Sequence, residues 1–226
     1  MRRTAFFLIF GLGGAAILIS LGVWQIQRLA WKEGVIADID ARIAADPVPL
    51  PADPDPVRDA YLPVTATGTP GDAYLRVLVS QKQIGAGYRI IRALRTDGGS
   101  VLLDQGFLPA DATIDAMTPD AELTVVGNLQ WPQETDSFTP APDLAENIWF
   151  ARDVPAMADA LGTRPILVVQ REAPETPGAI TPLPVDTAAI PNDHLQYAIT
   201  WFSLAAIWMA MTVFFLRRPT ARPTQG

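Results

Sequence analysis

The chain has one histidine, His194, and Tyr197, Trp201 and Trp208 follow it at +3, +7 and +14. Those spacings put all four residues on one face of a helix. A second stripe, Trp24, Arg28 and Trp31, is spaced +4 and +7 and has Gln25 beside it. An imidazole can ligate a metal, aromatic plates can stack on a planar ligand, and an arginine can hold a carboxylate. Two readings of these residues are open. In one they are an interfacial aromatic belt, a snorkelling arginine and a helix-end histidine. In the other they form a haem pocket. His194 would be the axial iron ligand, Trp24, Tyr197 and Trp201 would lie against the macrocycle, and Arg28 would sit beside the propionates.

Other chemistry is scarce. There is no cysteine, which removes thiol nucleophiles, disulfides, iron–sulfur ligation and cysteinyl zinc sites. The segment Arg28–Asp193 contains no histidine, so neither a Ser-His-Asp triad nor a multi-histidine metal site can be built there. Glu134 and Asp136 could be imagined as an acid–base pair, but nothing places a substrate beside them, and turn carboxylates are the expectation. Arg89, Arg92 and Arg95 share one strand-like segment. Odd spacing turns Arg92 away from the other two, and a solvated surface is expected. Gly85-Ala86-Gly87 lacks the following helix that a phosphate loop requires. All 24 acidic residues and 12 of the 17 basic ones fall in Arg28–Asp193, giving that segment a net charge of −12. Such an acidic face excludes a nucleic-acid partner.

The elements that must position these residues follow from two blocks without Asp, Glu, Lys or Arg, Thr4–Gln27 and His194–Leu216, of 24 and 23 residues. Each is long enough to cross a lipid bilayer as a helix. The apolar run of the first exceeds a signal-peptide core, and Gly22-Val23-Trp24-Gln25 offers no small-x-small cleavage site, so an uncleaved anchor is expected. Arg2-Arg3 and Arg217-Arg218 lie outside the two blocks, which places both termini in the cytoplasm and the acidic middle across the membrane. Small residues four apart, at Gly11/Ala15, Ala16/Ser20 and Ala206/Ala210, are expected to let the spans pack closely. The chain then divides into a first transmembrane helix at 5–27, a stalk helix and proline-rich linker at 28–60, and a β domain at 61–173. A proline-rich return loop at 174–193, a second transmembrane helix at 194–216 and a tail at 217–226 complete it.

The helical pattern of Leu29, Ile36, Ile39 and Ile43 runs on until Asp46-Pro47-Val48-Pro49 stops it. Strand character follows at Tyr61–Thr67, Ala73–Gln81, Gly87–Arg95, Ser100–Leu108, Leu123–Trp131 and Ile166–Arg171. Asp153–Leu161 reads as a helix capped by Asp153, with Pro155 in its first turn. The fold class expected is membrane α+β. Two transmembrane helices flank a mainly antiparallel, barrel-like β domain with one or two short helices.

Several motifs together resemble the Surfeit-locus (Shy-one-like) family of cytochrome c oxidase assembly factors. They are Gly22-Val-Trp24-Gln25-Ile-Gln-Arg28-Leu-Ala-Trp31-Lys32, Tyr61-Leu-Pro-Val64 with Gly68, and Leu102-Leu-Asp-Gln-Gly106-Phe107-Leu-Pro109. Asn147-Ile-Trp149-Phe-Ala-Arg152-Asp153 and Asn192-Asp-His194-Leu-Gln-Tyr197-Ala-Ile-Thr-Trp201 agree as well. The resemblance implies a non-enzymatic chaperone of the respiratory chain that binds haem A near the outer membrane face. It would assist insertion of that haem into subunit I of the oxidase, with haem A synthase as a further partner. His194 matches the histidine implicated in haem binding. Before Gly106 the family often has Asn-Arg, whereas this chain has Asp104-Gln105, so a role for that arginine does not transfer. A short acidic chain with no targeting peptide visible ahead of Arg2-Arg3 is expected for a bacterial inner-membrane member with a periplasmic domain. The alternatives are a scaffold for oxidase assembly that never touches haem and a membrane-anchored enzyme acting on haem or envelope substrates.

Overall fold

The computed structural model describes residues 2–81, 85–114, 122–172, 179–188 and 190–218. In chain order the elements are α1 (Arg2–Ile43), β1 (Val48–Pro49), β2 (Pro63–Gln81), β3 (Gly85–Thr96), β4 (Gly99–Pro109), β5 (Leu123–Gln130), β6 (Ile148–Trp149), α2 (Val154–Leu161), β7 (Leu167–Gln170) and α3 (His194–Arg217). They form two compact units, Met1–Asp38 with Ala188–Gly226, and Ile39–Thr187. The expected return loop and tail fall partly on 173–178, 189 and 219–226, which lie outside the described residues.

The first unit is a helix pair, and both helices are long and apolar enough to cross a membrane. They run antiparallel. Gly11 lies against Thr212, Gly14 against Trp208 and Gln25 against His194. The seam positions of α1 are Gly11, Ala15, Leu18, Gly22, Gln25, Leu29 and Lys32, and Gly14 and Leu21 beside them are half-buried too. Those of α3 are His194, Ala198, Trp201, Ala205, Trp208, Thr212 and Phe215. Steps alternating between four and three residues keep one seam facing the partner helix. Glycine and alanine in that seam let the backbones approach. The Trp208 indole N–H reaches across to donate to the Gly11 carbonyl at 3.0 Å. A Cβ at Gly22 would lie 2.7 Å from the Phe202 ring. Of the three small-residue pairs expected to pack, Gly11/Ala15 is in the seam, whereas Ala16/Ser20 and Ala206/Ala210 are exposed.

The second unit is built on a mixed sheet in which β2 pairs with both β3 and β5. The path β2-β3-β4-β7-β5 therefore returns to its start. The pairs β2–β3, β3–β4, β2–β5 and β5–β7 are antiparallel, and β1–β2, β2–β6 and β4–β7 are parallel. Two strands expected at 61–67 and 73–81 are one continuous strand. Its Pro63–Gly68 portion pairs with β5, and from Thr69 it pairs with β3, across a register shift between Pro70 and Tyr74. Pro70 has no N–H for the ladder, and a local irregularity there bends the strand instead of ending it. The proline-rich stretch after α1 is not wholly a linker, because it contains β1, and the Leu50 N–H donates to Thr65 O at 3.0 Å. Proline is compatible with such a sheet edge.

Both faces of the sheet are buried. Leu103 and Val168 belong to one apolar cluster, and their neighbours Leu102, Leu167 and Val169 belong to another. The second cluster is covered by Trp149 and by Val154 and Met157 of α2. As expected, Asp153 caps α2, accepting from the Ala156 N–H at 3.1 Å. Gly162 closes the helix in the left-handed region at φ 64°.

Charged groups fix the seams of this unit, against the expectation of a solvated surface. Asp104 is fully buried. Its Oδ2 accepts from Arg89 Nη1 at 2.6 Å, Arg152 Nη1 lies 3.7 Å away, and its Oδ1 accepts from the Gly106 N–H at 3.1 Å. Arg152 also donates to Glu134 Oε1 through Nε at 3.0 Å and Nη2 at 2.5 Å, and to Gln130 Oε1 at 2.8 Å. Arg92, 4 % exposed, donates to Gln105 Oε1 at 3.0 Å and to the Gly71 and Asp72 carbonyls, and lies against the Tyr74 ring. Only Arg95 of the three β3 arginines is exposed. Burial pushes the Asp104 carboxyl above its ordinary range, opposed by Arg89, Arg152 and the Gly106 N–H. Burial acts upward on Glu134 too, but its hydrogen bonds and charge pairing with Arg152 outweigh it, and its carboxyl sits below the usual range. Gly106 itself, at φ 116°, lies under the return segment, where a Cβ would collide with the Thr181 carbonyl.

Candidate functional site

The residues singled out for ligand chemistry all belong to the helix pair, so the site is built from its seam outward. His194 opens α3 in a seam position and is half-buried. Its Nδ1 lies 2.7 Å from Oε1 of Gln25, a buried seam residue of α1. With the Gln25 carbonyl oxygen as acceptor, the contact suits an imidazole protonated at Nδ1, the tautomer in which Nε2 is the nitrogen able to coordinate. This arrangement is the usual support of a metal-binding imidazole, in which a second partner fixes tautomer and ring orientation. Below this level Trp201 and Trp208 continue the seam. Above it Lys32 Nζ donates to the Pro191 carbonyl. Asn192 Oδ1 is buried and has no donor among the described residues.

Trp24, Arg28 and Trp31 are not in the seam. Each precedes a seam residue of α1 by one position, and Tyr197 precedes Ala198 of α3 in the same way. One residue turns a helix by about 100°, and in an antiparallel pair the same one-residue offset turns both helices toward the same side. Trp24, Arg28, Trp31 and Tyr197 therefore share one flank of the pair. Trp24 and Tyr197 are 53 % and 55 % exposed there, open for stacking. Arg28 places its guanidinium 3.8 Å over the Trp31 ring, and no carboxylate pairs with it among the described residues. The structure thus brings His194 to Gln25 and groups Trp24, Arg28 and Tyr197 on one flank. It separates Trp201 from that flank and packs it in the seam. Gln25, which the sequence sets only beside the second stripe, meets the imidazole; its signal is a seam position in step with Gly11, Ala15, Leu18 and Gly22.

A model described as the SURF1 family matches residues 12–206. The chain belongs to the SURF1 family. It is 30% identical to Surfeit locus protein 1 of Homo sapiens over 210 residues, which cover 82% of this chain and 69% of that protein. It is 30% identical to Surfeit locus protein 1 of Rattus norvegicus, over 93% of this chain and 74% of that one. With a SURF1-like protein of the bacterium Rickettsia felis it shares 27% identity, over 89% of this chain and 92% of the other. The SURF1-family match spans the candidate residues of both helices and the whole sheet.

Proposed function

We propose that this SURF1-family chain is a membrane-anchored, non-enzymatic assembly factor of cytochrome c oxidase that holds haem A and assists its insertion into subunit I. Membership of the family supports the role in oxidase assembly. The observation that carries the haem reading is the His194–Gln25 contact, a geometry that suits the tautomer in which the chain's one imidazole would offer Nε2 to iron. In this reading His194 Nε2 ligates the iron, and Trp24 and Tyr197 offer exposed aromatic faces to the macrocycle. Arg28, without a carboxylate partner, takes a propionate, and Trp201 backs the site from the seam. The bound haem is cargo. The protein's part is to bind it, orient it and shield it until the oxidase subunit takes it.

The two apolar helices and the flanking arginines support an inner-membrane position with both termini cytoplasmic and the β unit in the periplasm. Haem A synthase is the natural donor of the cargo. The test uses the detergent-purified full chain titrated with haem A. Wild type gives a saturable Soret band, and His194→Ala abolishes it or alters it strongly while the β unit keeps its circular dichroism and its denaturation midpoint. An unchanged spectrum and stoichiometry in His194→Ala would return His194 to an ordinary helix-end residue and favour a scaffold that never touches haem.

A further inference from the structure

The helix pair carries a second feature that the haem reading does not use. An apolar groove of about 460 Å³ lies between α1 and α3, bounded by Gly14, Ile17, Leu204, Ile207 and Met211, with Trp208 at its floor. The floor is set by the seam. The Trp208 N–H is held by the Gly11 carbonyl, and its indole lies so close to Gly14 that a Cβ there would be 2.5 Å from Nε1. Gly14 and Ile17 precede the seam residues Ala15 and Leu18 by one position, and Leu204, Ile207 and Met211 precede Ala205, Trp208 and Thr212 likewise. By the offset argument applied to Trp24, Arg28 and Tyr197, the groove is on the same flank of the pair as those residues.

We infer that this groove receives the isoprenoid tail of the haem whose macrocycle sits beside His194, Trp24 and Tyr197. The inference rests on the haem reading above and deepens it to the tail, which with a formyl group distinguishes haem A from haem B. Along α1 the groove begins 8 residues from Gln25, at Ile17, and ends 11 residues away, at Gly14. At about 1.5 Å per residue that is ~12–16 Å, and along α3 the groove runs from Leu204 to Met211, 10 to 17 residues from His194 or ~15–26 Å, so a farnesyl chain leaving the porphyrin edge reaches the end of the groove nearer His194. The volume is that of a small-ligand pocket, within the usual range of roughly 300–1,000 Å³. A third helix is a poorer occupant, because helices pack on small residues in a membrane. The seam already uses Gly11, Ala15, Gly22, Ala198 and Ala205, and the groove edges are the protruding side chains Ile17, Leu204, Ile207 and Met211.

Haem O and haem B isolate the tail, since they differ only in the hydroxyethylfarnesyl group. Both are titrated into the detergent-purified full chain, and into Ile207→Trp and Leu204→Trp, two variants that fill the groove from exposed positions. The expected result is a preference of wild type for haem O of about tenfold, cut to near unity in both variants, with haem B affinity unchanged throughout. A wild type that binds both haems equally, or a preference that survives both substitutions, would overturn the inference and assign the groove to lipid or to a partner helix. Failure of both haems to bind wild type would overturn the haem reading itself, and the inference with it.

Discussion

The two units of this chain treat charge in opposite ways. In the β unit, Asp104, Arg89, Arg92 and Arg152 are buried or nearly so and are matched by partners on other strands and loops. In the helix pair, α1 carries no charge from Thr4 to Gln27 and α3 none before Arg217, and polar contacts across the seam are few. Yet it is the helix pair that presents exposed aromatic faces, an arginine with no carboxylate partner among the described residues, and an imidazole that meets a glutamine. The comparison teaches that a buried charge whose every partner is in place is a structural fastening. A polar group left open on an otherwise apolar element points to something that must come and complete it.

The largest effect expected tests the fastening. Asp104→Ala leaves Arg89 and Arg152 facing each other without their carboxylate, and should cost the β unit about 3–5 kcal/mol in urea denaturation. The helix pair should keep its packing. A haem titration that failed in Asp104→Ala while the β unit stayed folded would break the division between the units. On the other side, Gly22→Leu drives a side chain into the Phe202 ring and should weaken helix pairing by about 1–3 kcal/mol. Because the chain has no cysteine, the change can be read as lost disulfide cross-linking between Gly11→Cys and Thr212→Cys, positions that face each other across the pair. The β unit's urea midpoint should not move.

Gln25→Leu keeps the volume of the seam and removes the acceptor from His194 Nδ1. The loss in haem affinity should be about 10–100-fold, the usual cost of removing a ligand's outer partner, with helix pairing intact by the same cross-link. The smallest effect is in pH dependence. Glu134 titrates lower in the folded state than in the unfolded one. Its contribution is thus present above the ordinary glutamate range and is lost as pH falls through the folded value. Asp104 is raised, so its contribution has the opposite sign and is lost as pH rises from the ordinary aspartate value through the raised one. Urea midpoints measured from about pH 3 to 7 should therefore lose part of their acid decline in Glu134→Gln, by about 1 kcal/mol. In Asp104→Asn they should decline more on acidification than in wild type. Identical pH profiles in wild type and both variants would refute this assignment.

Much of the fold was legible because it rests on local periodicity. The charge-free blocks, the continuation of α1 to Ile43 and the Asp153 cap of α2 are all written within a few residues of where they act. The misread parts depend on partners far away in the sequence. Arg89 and Arg92 looked solvated because nothing near them says that Asp104, Gln105 and the Gly71 and Asp72 carbonyls will cover them. Glu134 looked like a turn residue because its partner, Arg152, lies beyond a separate loop. The strand pattern of 61–67 and 73–81 is interrupted by Gly68–Asp72, where two glycines and a proline stand; in the structure the strand continues through them and changes its partner. At the candidate site, helical spacing singles out His194, Tyr197, Trp201, Trp24 and Arg28. The same spacing could not say that Trp201 faces the seam and Tyr197 the flank, since +3 and +4 neighbours share a broad face until a second helix divides it.

The central claim is that His194 Nε2 is a ligand of haem iron, and a single histidine makes it directly measurable. The full chain is prepared with ordinary histidine and with histidine carrying heavy nitrogen in the ring, loaded with haem A in detergent, reduced, and examined by resonance Raman spectroscopy in the iron–histidine stretching region. The expected result is a band that moves to lower frequency with the heavy isotope and is missing in His194→Ala. A ferrous haem complex with no band sensitive to the histidine label, or with the same sensitive band in His194→Ala, would contradict it.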